Sequence, residues 1–150
     1  MADVQSILDK AVGMRWEISR LLRESTYNEY DDLSGLNINY EDAEQLFILD
    51  ELRAIIDKLA DAEDRMSYLS RPIAETSRLH KNEVGKFETR HGHYYCCGSR
   101  IEALVADDYH ESPYWTRTSV EHDGTDYYLV GHRDISLNGL TVRVRKEATC

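Results

Sequence analysis

ILDELRAIIDKLADAEDRMSYLSRP, residues 48 to 72, decides what the first half of this chain is. Ile48, Leu52, Ile55, Leu59, Ala62, Met66 and Leu69 recur at alternating spacings of four and three, the apolar seam of a long helix that buries one face. Pro72 stops that helix, and upstream Asn39 is the expected N-cap, with Glu41 and Asp42 in the positive first turn. A helix over 40–70 is therefore predicted. Its seam must bury against something. Val4, Ile7, Ala11, Met14, Ile18 and Leu21 carry the same alternation, Asp3 stands where a cap is needed, and Gly13 is an interior weakness of about 1 kcal/mol. The two seams predict an antiparallel helical hairpin, 4–22 packed on 40–70. Its connection, STYNEYDDLSGLNIN, is long for such a hairpin and rich in turn formers and acids. Trp16, Phe47 and Tyr68 lie off the seams and point to a second contact surface.

Beyond Pro72 the period of the pattern falls from 3.5 to 2. KFETR, HYYCC, RIEALVAD, YWTRTSVE, DYYLVGH and LTVRVRK are strand candidates, separated by turn signals at His91-Gly92, Gly98-Ser99, Asp107-Asp108, His122-Asp123-Gly124 and Asn138-Gly139. In the last strand Leu140, Val142 and Val144 face one way and Thr141, Arg143 and Arg145 the other. Short strands in so few residues must curl to hide their edges, which suggests a small SH3-like β-barrel. The expected fold class is α+β: an acidic helical hairpin at 1–72, a polar linker at 73–84 around ETSRLHKNE, and an SH3-like barrel at 85–150.

The totals agree with one ordinary domain or two small ones. In 150 residues, 41% are hydrophobic and 31% charged, so a core is feasible without being large. No apolar run reaches the roughly 18 residues of a membrane span, and MADVQSILDK lacks a signal-peptide pattern, so the expected location is the cytoplasm. HGHYYCCGSR, residues 91–100, puts two histidines and two cysteines together and raises the question of a metal or redox centre. A zinc site takes about four ligands and usually two separated pairs, whereas His91, His93, Cys96 and Cys97 form one cluster with a turn at Gly92. Adjacent cysteines in a strand point to opposite faces, and Cys150 is the last residue, so no disulfide framework is expected. The cluster reads as a β-hairpin. Elsewhere His110, His122 and His132 are scattered, Ser119 sits in no nucleophile elbow, and no glycine-rich phosphate loop occurs. The doublets Asp31-Asp32 and Asp107-Asp108 are turn chemistry. Hence no catalytic residue, metal or cofactor is expected, and no enzyme.

GSRIEAL, WTRTSVEHDGTDYYLVG and GLTVRVR, within residues 98–145, resemble an uncharacterised domain-of-unknown-function family of Gram-positive bacteria and their plasmids, conjugative elements and prophages. The resemblance covers the barrel half. It implies a mobile-element setting in a bacterial host cell. It assigns no catalytic residue, and the family pattern does not carry cysteines at 96 and 97.

Charge supplies the binding hypothesis. Between Glu24 and Asp64 stand thirteen acidic residues against two basic ones, whereas the whole chain carries a net charge of -10. One block therefore holds the entire imbalance. On the predicted second helix Asp50, Asp57 and Asp64 recur every seven residues, with Asp61 beside them, so their carboxylates form a stripe with a step of about 10.5 Å. Such a run can be a solvated face that keeps the chain soluble. It can also meet a basic protein partner, such as a nucleic-acid-binding effector. With the mobile-element setting, the expected function is a non-enzymatic inhibitor of phage or mobile-element origin, anti-defence or anti-CRISPR-like. Its partner-binding residues would be Asp31, Asp32, Asp50, Asp57, Asp61 and Asp64, with Tyr27, Tyr30 and Tyr40 as anchors. A homodimer through the helical hairpin is a further partner expectation. The alternative is a nucleic-acid-binding or regulatory module using Arg117, Arg143, Arg145 and Trp115, where arginine meets phosphate and the ring stacks a base. Near-neutral charge over the barrel half favours instead cross-strand pairing with Glu102 and Glu121.

Overall fold

Asp3 opens the first helix as its sequence position demands, its carboxylate accepting from the Ser6 N–H at 2.7 Å. A computed structural model describes residues 1–28 and 33–147 of the chain. The first helical seam is split in two, α1 (Val4–Val12) and α2 (Arg15–Glu24), at Gly13 and Met14. Glycine's cost inside a helix is met here by a break in the hydrogen-bond ladder. The long helix α3 (Ala43–Ser70) is capped by Asp42 and not by Asn39. Asp42 accepts from the N–H groups of Glu44 and Gln45, while Asn39 accepts from Glu41 one turn earlier. Both residues are cap formers, and the charged one faces the helix dipole. Arg71 is extended (φ -76°, ψ 133°), as a residue before proline must be, and the helix ends there.

The chain divides into two compact units, with the boundary between Arg71 and Pro72. In the first, α1 and α2 run antiparallel to α3 as a helical hairpin, cross-linked by a half-buried ion pair of Arg15 with Glu63 at 3.2 Å. Its core is Leu33, Leu49 and Ile56, with Leu22, Tyr27, Leu36, Ile38, Leu52 and Leu59 packed around them. This corrects the expected seam by part of a turn. Leu49 and Ile56 are buried, whereas Ile48 and Ile55 are exposed. The apolar arc of α3 is wide enough for either phase, and the connecting segment, read as loop, selects one by laying Leu33, Leu36 and Ile38 on the helix.

Among the described residues the second unit holds eight strands: β1 (Ile73–Arg78), β2 (His80–Lys81), β3 (Phe87–Glu88), β4 (Tyr94–Tyr95), β5 (Arg100–Val105), β6 (Tyr114–His122), β7 (Tyr127–Leu129) and β8 (Thr141–Arg145). A five-stranded antiparallel sheet has the order β1-β8-β5-β6-β7, and β2-β3-β4 form a smaller one. Six strands coincide with the predicted segments, β6 running one residue past its own to His122. The expected linker 73–84 is corrected: it supplies β1 and β2, and β1 is the edge of the large sheet. The fold is thus α+β, with an N-terminal helical hairpin and an antiparallel sheet. No pairing among the described residues closes that sheet into a barrel. Its core alternates along the strands as expected, with Ile101, Ala103 and Val105 of β5 and Val142 of β8 buried beside Val120, Leu129, Phe87 and Tyr95. Among the described residues no helix is long and apolar enough to cross a membrane.

Candidate functional site

The acidic residues of α3 stand where helix geometry places them. Asp50, Asp57, Asp61 and Asp64 are all exposed along one helix of 28 residues. Asp50 is paired with Arg53 at 3.0 Å and Asp61 with Arg65 at 3.0 Å, both on the surface within one helical turn. Exposed pairs of this kind are worth only a few tenths of a kcal/mol, because water screens them. Asp57 and Asp64 have no ion pair among the described residues. The chain's own arginines therefore soften the stripe without cancelling it.

The aromatic anchors divide. Tyr40 is 68% exposed just before α3. Tyr27 instead packs half-buried against the hairpin core, which removes most of its ring from any partner. Tyr30, Asp31 and Asp32 lie outside the described residues.

On the large sheet the four residues of the alternative face are brought together. Arg117 of β6 and Arg143 of β8 both lie opposite Glu102 of β5. Glu102 is only 6% exposed, and its carboxylate is held by Arg145 at 3.0 and 3.1 Å and by Arg143 at 2.9 Å. The Arg143 guanidinium sits 4.2 Å from the centre of the Trp115 ring. Their side chains are mostly buried, 20% and 11% exposed for Arg143 and Arg145. A duplex or single strand needs guanidinium groups in water, so the geometry serves the cross-strand pairing of the sheet.

HGHYYCCG folds as a hairpin. Thr89 and His93 pair across the turn, the Thr89 N–H donating to the His93 carbonyl at 2.8 Å, and Gly92 takes the positive φ of 88° that the turn requires. The His93 ring meets Tyr95 edge-on at 5.0 Å. The Cys97 thiol donates to Glu121 at 2.8 Å, and that hydrogen bond raises its pKa, keeping it protonated. Cys96 lies 3.5 Å from the Lys86 ammonium, which is itself pushed up by that contact. Among the described residues no three histidine, cysteine or acidic side chains converge on a metal position.

Two carboxylate networks were not anticipated. Asp107 accepts from the Tyr114 hydroxyl at 2.6 Å, from His110 Nδ1 at 2.7 Å and from the N–H groups of Tyr109 and His110; the hydroxyl contributes most to lowering its pKa to about 2. The doublet Asp107-Asp108 announces the turn, but the tyrosine seven residues on carried no signal of its own. Glu75 of β1 accepts from the hydroxyls of Thr89 and Ser77 and from the His91 N–H; burial pushes its pKa up, and these donors outweigh it, leaving it lowered. It ties the edge strand to the hairpin turn. Both are structural devices.

A domain of unknown function, DUF5348, is found at residues 76–144, from within β1 to β8. No curated protein and no solved structure matches the chain.

Proposed function

We propose that this chain is a non-enzymatic binding protein of phage or mobile-element origin that blocks a nucleic-acid-handling partner through its acidic hairpin, as an anti-defence, anti-CRISPR-like inhibitor would. The observation that carries it is the row of exposed carboxylates on a rigid 28-residue helix, with Asp57 and Asp64 unneutralised among the described residues. A cationic groove that holds a phosphate backbone also attracts a row of carboxylates along such a helix, and complementary fields speed encounter. Tyr40 adds an amphipathic ring at the helix start. The nucleic-acid reading of Arg117, Arg143, Arg145 and Trp115 has less support, because Glu102 occupies two of the guanidinium groups. For the C-terminal unit the finer description is an opened SH3-like barrel, supported by a five-stranded antiparallel sheet beside a smaller three-stranded one. The cytoplasm of a bacterial host is where such an inhibitor would act.

The test is phage plating on a host with an active CRISPR nuclease, with and without the chain expressed. Rescue of plating is the expected result, and replacing Asp50, Asp57, Asp61 and Asp64 by asparagine should abolish it. A quadruple variant as active as the parent sinks the acidic-stripe mechanism. No rescue against any nuclease defence, with the protein folded and abundant, sinks the inhibitor reading.

A further inference from the structure

The helical hairpin has a second face, and it is apolar. At about 100° per residue, Asp50, Asp57 and Asp64 lie on one flank of the buried row Leu49, Leu52, Ile56 and Leu59 of α3, and Ile48 and Ile55 lie on the other. On the first two helices Ile7, Met14 and Leu21 also recur every seven residues. Because the helices run antiparallel, the same sense of rotation from the buried row brings Ile7, Met14 and Leu21 to the side of the hairpin that carries Ile48 and Ile55. These side chains are not covered: Ile7 is 55% exposed, Met14 57%, Ile48 47% and Ile55 50%. Beside them a cavity of about 190 Å³ opens between Leu21, Leu36, Leu52 and Ile56, lined almost wholly by carbon. An apolar row on both helices of a hairpin exceeds the scattered exposed residues of an ordinary surface.

The charges beside the row say what fits it. Along the edge of α3 away from the first helices stand Glu44, Glu51, Lys58 and Arg65, again seven apart and all exposed. The edge is acidic in its N-terminal half and basic in its C-terminal half. A uniformly basic helix would meet repulsion at Lys58 and Arg65, and an acidic one at Glu44 and Glu51. A second copy running antiparallel satisfies all four positions at once, because Glu44 then meets Arg65 and Glu51 meets Lys58 on both sides of a twofold axis. Arg65 is already paired with Asp61 in a surface contact that does not prevent this.

We propose that a second copy of this chain docks on the Ile7, Met14, Ile48 and Ile55 face, with α3 antiparallel to α3. The two acidic stripes then point outward from opposite sides of the paired hairpins. This inference stands independently of what the stripe binds.

Sedimentation equilibrium of the full chain tests it, with far-UV circular dichroism as the check on folding. The expected mass is twice the 17.4 kDa of the chain. Ile55→Asp should leave a folded monomer. Glu51→Lys and Lys58→Glu, each turning two attractive contacts repulsive, should each weaken association by about tenfold or more. Combined, they should restore it to within about threefold of the parent, which a loss of folding could not mimic. A monomer up to about 100 µM overturns the proposal and leaves the face to another occupant. A dimer indifferent to the swaps, or one that the double variant fails to restore, overturns it equally.

Discussion

Glu102 in the sheet unit is 6% exposed and clasped by Arg143 and Arg145, while Asp50, Asp57, Asp61 and Asp64 in the helical unit stand in water with two weak partners between them. All five are carboxylates, and the physics differs. Taking Glu102 out of water cost several kcal/mol, which the two guanidinium groups return only in this geometry, so the group fixes which residues of β5 and β8 lie side by side. The aspartates paid no desolvation and fix nothing. What they contribute is a field, felt by whatever approaches. Charge inside this molecule sets register, and charge outside it is available for recognition.

The largest way to break that contrast is to orphan the buried arginines. Glu102→Ala should lower the stability of the sheet unit by about 3 kcal/mol or more, read as a drop in urea midpoint. Next, Ile56→Ala should cost the hairpin about 2–4 kcal/mol, while Ile55→Ala, one residue away and exposed, should cost under about 1 kcal/mol when measured dilute enough to be monomeric. Equal losses would mean that the buried row is misassigned. Asp107 sharpens the contrast by pH. Its folded pKa, about 2, lies below the unfolded value, so its contribution is complete at neutral pH and disappears as pH falls from about 4 through 2. Asp107→Asn should flatten that limb of an acid titration followed by tyrosine fluorescence, and an unchanged limb would dismiss the network. The smallest effect belongs to the stripe: Asp57→Asn with Asp64→Asn should move stability by no more than about 0.5 kcal/mol, upward if at all, because like charges are relieved. A large loss would show that these carboxylates are structural after all.

Periodicity revealed most of the architecture. The two helical seams and six of the strand segments were legible because burial on one face leaves a period that no other constraint imitates. Helix phase was not, since Ile48, Leu49, Leu52, Ile55, Ile56 and Leu59 together cover more than one face. Only Leu33, Leu36 and Ile38, arriving from a segment full of turn formers, decide between them. IAETSR hid as a linker because an edge strand has one paired side and needs little apolar content; only the full sheet gives it a place. Arg143 and Arg145 were assigned the correct side of β8, opposite Val142. Their engagement by Glu102 depends on which strands are neighbours, and alternation within one strand does not say that.

The junction at Pro72 has a consequence for how such a protein can be rearranged. Two residues separate the end of α3 from the start of β1, and Glu75 on that strand holds the turn at Thr89 and His91. A fragment begun at residue 85, just past the polar stretch, would strip β8 of one neighbour and leave a raw sheet border prone to aggregation. Recombination that exchanges the helical portion for another must therefore splice at or before Pro72, carrying the strand along with the sheet it completes.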